Sequence, residues 1–257
     1  MNYFVEGSQG SGKSTLCAAL KQKHPDHELY MEGSYSPIEL AWCAYVDENE
    51  YQKIIERYPE MSDAIKGNCF TEEDHRIITY TRIKTEDRSF YEDLEHYEIY
   101  NGRSDLDRFR KIILKRYERY EGENAIFECS LFQNIIEDLI LFQELDDKEI
   151  LSFYKQLSKI LEKKNMRIIY LKSDDIKTNI LKVRKERVDG KGNEIWFDLL
   201  RDYFDHSPYA LHKGVAGEEA LYGHLERRQK LELEICEKLF KDKTLILRSK
   251  DYDMDIL

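Results

Sequence analysis

Apolar residues along the chain alternate between short continuous runs and stretches with helical spacing, and that rhythm predicts the elements in order. Residues 2–6, Asn-Tyr-Phe-Val-Glu, form a strand-like run that meets a glycine cluster. Leu16, Ala19 and Leu20 then recur at helical spacing, predicting a helix over 13–23. Pro25 lies just beyond it, where a residue unable to continue a helix belongs. Further strands are expected over 28–31, 125–128, 166–171 and 244–247, each an apolar run too short for a helix. Helical spacing predicts helices over 131–142, 147–163, 175–186, 194–204 and 218–240, with a glycine turn at 189–193 and an irregular loop at 206–214. Strands alternating with helices specify an α/β fold, a five-stranded parallel sheet covered on both faces.

The interval between the second and third strands far exceeds the dozen or so residues that a parallel crossover needs. Residues 33–123 read as mostly helical, acidic and rich in tyrosine: a helical, substrate-binding insertion within a single domain spanning 1–257. One helix is expected over 38–46. The clearest begins at Ser104 as N-cap, with Asp105 and Asp107 in its first turn and Gly122 closing it. Its apolar face carries Leu106, Phe109, Ile112, Ile113, Tyr117 and Tyr120.

Composition narrows the function classes. A chain of 257 residues, 41% hydrophobic and 12% aromatic with only 4 prolines, can bury a substantial core and is not a disordered type. The net charge of −11 disfavours a nucleic-acid polymer as partner, because binding one requires a basic face. No apolar run approaches the ~18 residues of a membrane span, and the first residues lack a signal-peptide pattern, so no membrane partner is expected. Five widely spaced cysteines without a C-x-x-C pair disfavour a disulfide framework or a zinc site and fit a reducing cytoplasm. His206 and His212 have no metal-site spacing either.

Gly7, Ser8, Gln9, Gly10, Ser11, Gly12, Lys13 and Ser14 satisfy the pattern G-x-x-x-x-G-K-[ST], after a strand and before a helix. Glycines let the backbone wrap a phosphate group so that successive N–H groups converge on it, and the helix adds the positive end of its dipole. Lys13 is expected to reach the β- and γ-phosphates of ATP or GTP, and Ser14 to ligate Mg²⁺; Thr15 completes the nucleotide-binding set. Two acidic strand ends add to this, Glu32 and Glu128. Phosphoryl transfer needs one carboxylate for the metal, here Glu128, and one to orient or deprotonate the acceptor, here Glu32. No Asn-Lys-x-Asp segment occurs, which disfavours a guanine-specific GTPase.

This ordered set, with Phe127-Glu128-Cys129-Ser130 after the third strand and an arginine-rich segment after the fourth, resembles the deoxynucleoside kinase and thymidylate kinase group of P-loop kinases. It is similar also to bacterial P-loop proteins of kinase-like type. The resemblance implies a three-layer P-loop NTPase fold. It also implies a general-base role for Glu32, although Gly33 stands where those kinases have proline. Their third strand ends in Glu-Arg-Ser; Glu128 and Ser130 match and Cys129 replaces the arginine. Arg184 and Arg187 resemble the lid arginines that close over the transferring phosphate, in a lid-like segment over 184–205. Ser130 reads as a helix N-cap rather than a ligand, Cys129 as a small, partly buried residue rather than a reactive one, and Arg227-Arg228 as helix-stabilising i,i+4 partners rather than a binding pair.

In the insertion, Trp42, Arg82 and Arg103, with Tyr45, Tyr80, Tyr97 and Tyr100, offer the aromatic and cationic surface that suits a flat ring. The sequence thus points to an ATP- and Mg²⁺-dependent phosphotransferase for a small hydroxyl or phosphate acceptor, nucleoside- or nucleotide-like. An antibiotic-modifying kinase is an alternative within that class, and a nucleotide-dependent switch or regulatory ATPase is the alternative outside it. Oligomeric state stays open, with a homodimer among the options.

Overall fold

A computed structural model describes residues 1–252. The chain divides into two compact units, one formed by Met1–Leu29 and the segment from Glu121 onward, the other by Tyr30–Tyr120. In chain order the elements begin with β1 (Asn2–Gly7), α1 (Lys13–Lys23) and β2 (Glu28–Tyr30). There follow β3 (Ala44–Asp47), α2 (Glu48–Arg57), α3 (Ser62–Gly67), β4 (Cys69–Glu72), β5 (His75–Ile78), α4 (Arg88–Glu95) and α5 (Leu106–Arg119). The chain then continues through β6 (Ala125–Glu128), α6 (Gln133–Glu137), α7 (Asp147–Leu161) and β7 (Met166–Lys172). It ends with α8 (Ile176–Glu186), α9 (Ile195–Asp205), α10 (Pro208–Lys213), α11 (Glu218–Leu239) and β8 (Thr244–Arg248).

The first unit is built on the expected five-stranded parallel sheet, in the order β2-β6-β1-β7-β8. β1 is central, with Val5 opposite Glu128 on one side and Ile169 on the other. Every residue of β1 and β6 is buried, as strands covered on both faces must be. The Phe4 and Phe127 rings stack between neighbouring strands with centroids 5.0 Å apart.

Helix starts follow local chemistry. Asp146 caps α7 in a full capping box with Glu149, and Asp175 caps α8 through Thr178 N–H. The expected loop at 206–214 instead contains α10: Ser207 accepts Ala210 N–H, and Pro208 supplies the preset first helical position. The 131–142 helix is α6 continued by a π-helical turn, Asp138–Phe142. α5 is capped by Asp105, not Ser104, and ends before Tyr120 rather than at Gly122. The carboxylate of Asp105 accepts Arg108 N–H, while Ser104 is buried.

The second unit holds the helices that its mostly helical sequence suggested, and strands that the sequence did not show. It contains a three-stranded antiparallel sheet in the order β3-β5-β4, with Cys69 and Ala44 both opposite Ile78. Its core includes Val46, Ile54, Ile65, Ile78, Phe90 and Leu94. The helix expected over 38–46 is absent; residues 38–43 are irregular and lead into β3. Ser36 Oγ takes the N–H groups of Ile38 and Glu39, and Glu39 Oε1 takes those of Leu40 and Ala41, so the segment turns on local side-chain bonds. Trp42 follows at a φ of 61°, outside the helical region. Beyond it the backbone turns away and Ala44–Asp47 pairs with β5 instead of continuing a helix.

Because Phe127 is fully buried between β1 and the layer beyond, Phe127→Ala should cost about 3–5 kcal/mol in urea denaturation. A loss below 1 kcal/mol would contradict this packing.

Candidate functional site

β1 ends at Gly7, and the loop to α1 contains three glycines with positive φ: 137° at Gly7, 73° at Gly10 and 98° at Gly12. Two of them also occupy space that no side chain fits. A Cβ on Gly7 would sit 2.5 Å from the Leu171 carbonyl oxygen, and one on Gly10 would sit 2.2 Å from Val183 Cγ2 on α8. At its N-terminus α1 has neither a capping side chain nor an acidic residue in its first turn. Its leading N–H groups and the positive end of its dipole therefore remain for an anion.

Lys13 is 7% exposed and folds inward. Its Nζ donates to Gly7 O at 2.9 Å, Ser8 O at 3.0 Å and Gln133 Oε1 at 3.0 Å. Other elements brace the loop from outside. Asn179 Nδ2 donates to Gln9 O at 3.3 Å, Ser249 Oγ to Ser11 O at 2.9 Å, and Arg228 to Gln9 Oε1 at 2.7 Å. Ser8 and Ser11 are buried beneath the loop, whereas Ser14 and Thr15 open α1 on its exposed side.

Glu128, at the end of β6, lies next to this loop because its strand pairs with β1. Ser14 Oγ donates to Glu128 Oε1 at 2.5 Å, so the structure brings together the two residues expected to hold a metal. A hydroxyl and a carboxylate are the hard oxygen donors that Mg²⁺ accepts alongside water and phosphate oxygens. Among the described residues no group of three His, Cys, Asp or Glu side chains is arranged for a metal. Ser130 is not an N-cap; its hydroxyl donates to Glu128 O at 3.1 Å, and α6 starts three residues later without a side-chain cap. Cys129 is buried, takes a φ of 57° and donates its N–H to Val5 O at 3.2 Å. Beneath the loop, burial pushes the Glu6 carboxyl up to about 8, against the Leu131 N–H bond that favours its charge.

The two lid-like arginines differ. Arg184 lies 3.8 Å from the Phe197 ring centre and donates to Glu194 from Nε at 2.9 Å and to Glu218 at 2.9 Å. The bond to Glu194 leads in holding its guanidinium pKa well above the ordinary arginine value. Arg187 is exposed, with its guanidinium 4.8 Å from the Trp196 ring centre.

In the second unit, three of the proposed acceptor residues assemble around Gly33. Trp42 Nε1 donates to Glu32 Oε1 at 3.4 Å, and Arg82 donates from Nε to Gly33 O at 3.1 Å and from its terminal nitrogen to Ser34 Oγ. Arg103 is engaged elsewhere, with Glu95 at 3.2 Å. Tyr45 donates to Glu72, Tyr80 to Glu98 and Tyr97 to Glu50, so these tyrosines serve several separate places rather than one pocket wall.

The sequence reading missed several buried charges. Arg116, 2% exposed, donates to Ser36 O at 2.7 Å, to Ile38 O at 3.4 Å and to Glu72. Arg228 is fully buried and pairs with Glu137 and Glu232. Both arginines lie on the apolar stripes of their helices, three residues after Ile113 and Leu225, and that placement was the available signal. Burial also raises two carboxyls of the second unit to about 7: Glu39, with the Glu32 charge adding to the effect, and Glu98, where the Tyr80 hydroxyl opposes it.

No family model matches the chain. Among curated proteins it is similar to "Adenylate kinase isoenzyme 6 homolog" of Plasmodium falciparum (isolate 3D7), 26% identical over 177 residues, which are 61% of this chain and 91% of that protein. Among solved structures it is similar to deoxyadenosine kinase from M. mycoides with bound dCTP, at TM-score 0.42 and 15% identity, covering 100% of this chain and 94% of that one. The same enzyme with bound dATP gives TM-score 0.38 and 17% identity over the same shares. In sequence the chain resembles a nucleotide kinase, and its glycine loop has the P-loop pattern. Among the described residues no helix is long and apolar enough to cross a membrane.

The raised carboxyls have a consequence for stability. Glu39 and Glu98 bind protons more tightly folded than unfolded, so their contribution is complete below about pH 4.5 and is lost as pH rises through about 7. Each is worth on the order of 3 kcal/mol across that window. Urea titrations at pH 5 and pH 8 should show this loss, and Glu39→Gln with Glu98→Gln should flatten it; an unchanged slope in the double variant would contradict the assignment.

Proposed function

We propose that the protein is an ATP- and Mg²⁺-dependent phosphotransferase acting on a small nucleoside- or nucleotide-like acceptor through its hydroxyl or phosphate. The observation that carries this reading is the Ser14–Glu128 hydrogen bond at the mouth of a glycine loop whose Lys13 ammonium is buried among loop carbonyls. The Plasmodium relative, an adenylate kinase homologue by name, supports the same class.

The loop N–H groups and the α1 N-terminus would take the phosphates of ATP, with Lys13 supplying a localised charge. Ser14 and Glu128 would hold Mg²⁺, which supplies charge neutralisation to the phosphates when bound. Glu32 would orient the acceptor hydroxyl and take its proton, and the Trp42 indole that donates to Glu32 would hold that carboxylate in place. Trp42 is 45% exposed and offers a flat face to a ring-bearing acceptor. Arg187 would neutralise charge on the transferring group on closure. A cytoplasmic location, with its supply of ATP, suits this chemistry.

A panel of nucleosides and nucleoside monophosphates, read by thermal shift with an ATP analogue and by phosphoryl transfer from ATP, tests the reading. A true acceptor should raise the Tm and consume ATP stoichiometrically. Acceptor-independent hydrolysis across the panel would favour the regulatory ATPase instead. Lys13→Ala should lower transfer by more than about 100-fold, a loss expected when a charge on the transferring phosphates is removed. Unchanged turnover in that variant would refute the assignment.

Glu32→Gln and Arg187→Ala should each lower kcat, by about 100-fold or more for the base, while leaving the ATP Kd within about 3-fold. Equal losses in kcat and ATP affinity would remove both residues from the transfer step.

A further inference from the structure

Arg228 lies on the apolar stripe of α11, fully buried, and does more than pair with its helix neighbour. It donates one terminal nitrogen to Glu137 Oε1 and the other to Gln9 Oε1 at 2.7 Å, with Nε 3.1 Å from Glu232 Oε1. Each carboxyl group is held in turn. His224 Nε2 sits 2.6 Å from Glu137 Oε2, and Tyr170 on β7 donates its hydroxyl to Glu232. The guanidinium is therefore fixed by α6, α11 and the sheet together, with one nitrogen directed to the phosphate loop. A buried cation held this firmly cannot follow a wandering partner; the partner must come to it.

Gln9 is that partner, and its main-chain carbonyl is also tied, by Asn179 from α8. Guanidinium groups only donate, so the Gln9 atom facing Arg228 must be its carbonyl oxygen. With Oε1 committed, the amide Nε2 is the polar end that Gln9 can give to a phosphate oxygen.

We propose that Arg228 is a positioning residue for nucleotide binding: it fixes the rotamer and amide orientation of Gln9 so that the Gln9 Nε2 becomes an additional side-chain donor to the phosphates held by the loop. The inference rests on the nucleotide-binding reading above. It assigns to Gln9 a contact that the backbone cradle does not provide, and to Arg228 an effect on affinity exerted without touching the ligand.

The test is calorimetric titration of the full chain with adenylyl imidodiphosphate and Mg²⁺. Gln9→Met keeps the side-chain length but removes both polar atoms, and leaves the Arg228–Glu137–Glu232 cluster in place. It should weaken binding by about 10-fold, the loss expected for a hydrogen bond to a charged group, with the Tm within about 2 °C of the parent. Arg228→Met should weaken binding similarly, and the double variant should bind no more weakly than Arg228→Met alone, because both act through one bond. Should Arg228→Met fail to fold, Glu137→Gln, which loosens the guanidinium from the other side, takes its place in the cycle. Parent-like binding by Gln9→Met, or losses that multiply in the double variant, would overturn the proposal while leaving the nucleotide reading intact. A parent protein that binds no nucleotide would overturn both.

Discussion

A backbone that turns its N–H groups toward a single point builds an anion site and a folding problem at once. The turn demands left-handed residues, here Gly7, Gly10 and Gly12, and it leaves carbonyls on the inner side that also need partners. Lys13 meets the second demand by donating to Gly7 O and Ser8 O, so one ammonium both shapes the loop and charges it. Neighbouring elements set the remaining limits. Val183 of α8 and Leu171 of β7 pack where side chains at Gly10 and Gly7 would go, so the loop, α8 and β7 must be compatible before any ligand arrives. The parallel sheet does the rest by pairing β6 with β1, which carries Glu128 to Ser14.

The same unit tolerates an unusual density of buried ionisable groups around this loop. Burial raises the Glu6 carboxyl to about 8, which keeps it largely neutral at pH 7, and pushes the nearby Glu232 carboxyl up as well. Glu137 goes the other way: burial alone would raise it, but the charges of His224 and Arg228 outweigh that and hold it down to about 2. Removing one member of such a set leaves an unpaired buried charge, which costs more than the bond itself contributes. The cluster therefore resists substitution as a whole, and its Gln9 contact links that rigidity to the phosphate loop.

Much of this was legible in the residues, and the failures have specific causes. The parallel strands read clearly because their central residues are buried: 125–127 and 168–171 are continuous apolar runs. The glycine motif named the loop, and with it Lys13 and Ser14. The second unit was read as more helical than it is because β3, β4 and β5 have four residues each and are partly exposed, too short to display a period of two. At 38–46 the apolar spacing did suggest a helix, but Trp42 takes a positive φ in the middle of that span and Ala44–Asp47 pairs with β5, a backbone and strand-pairing effect invisible to periodicity. The i,i+4 pairing of Arg228 with Glu232 was legible, but the burial of Arg116 and Arg228 was not, because the further carboxylates and carbonyls around them come from distant parts of the chain.

The two lid-like arginines looked equivalent in sequence, and energetics separates them. Arg184 makes bonds to two glutamates and lies over Phe197, so moving it toward a ligand would break every one of these contacts and leave Glu194 and Glu218 without their cation. Partly exposed pairs are each worth about 1 kcal/mol or less, but breaking two together with a cation–π contact sums to an appreciable barrier. Arg187 is exposed and held over Trp196 by a single stacking contact, worth about 0.5–1 kcal/mol at such a site. The triphosphate of the proposed function would offer a guanidinium more than that. The asymmetry makes Arg184 the fixed joint between α8 and α9, with Arg187, just beyond the end of α8, the residue free to reorient.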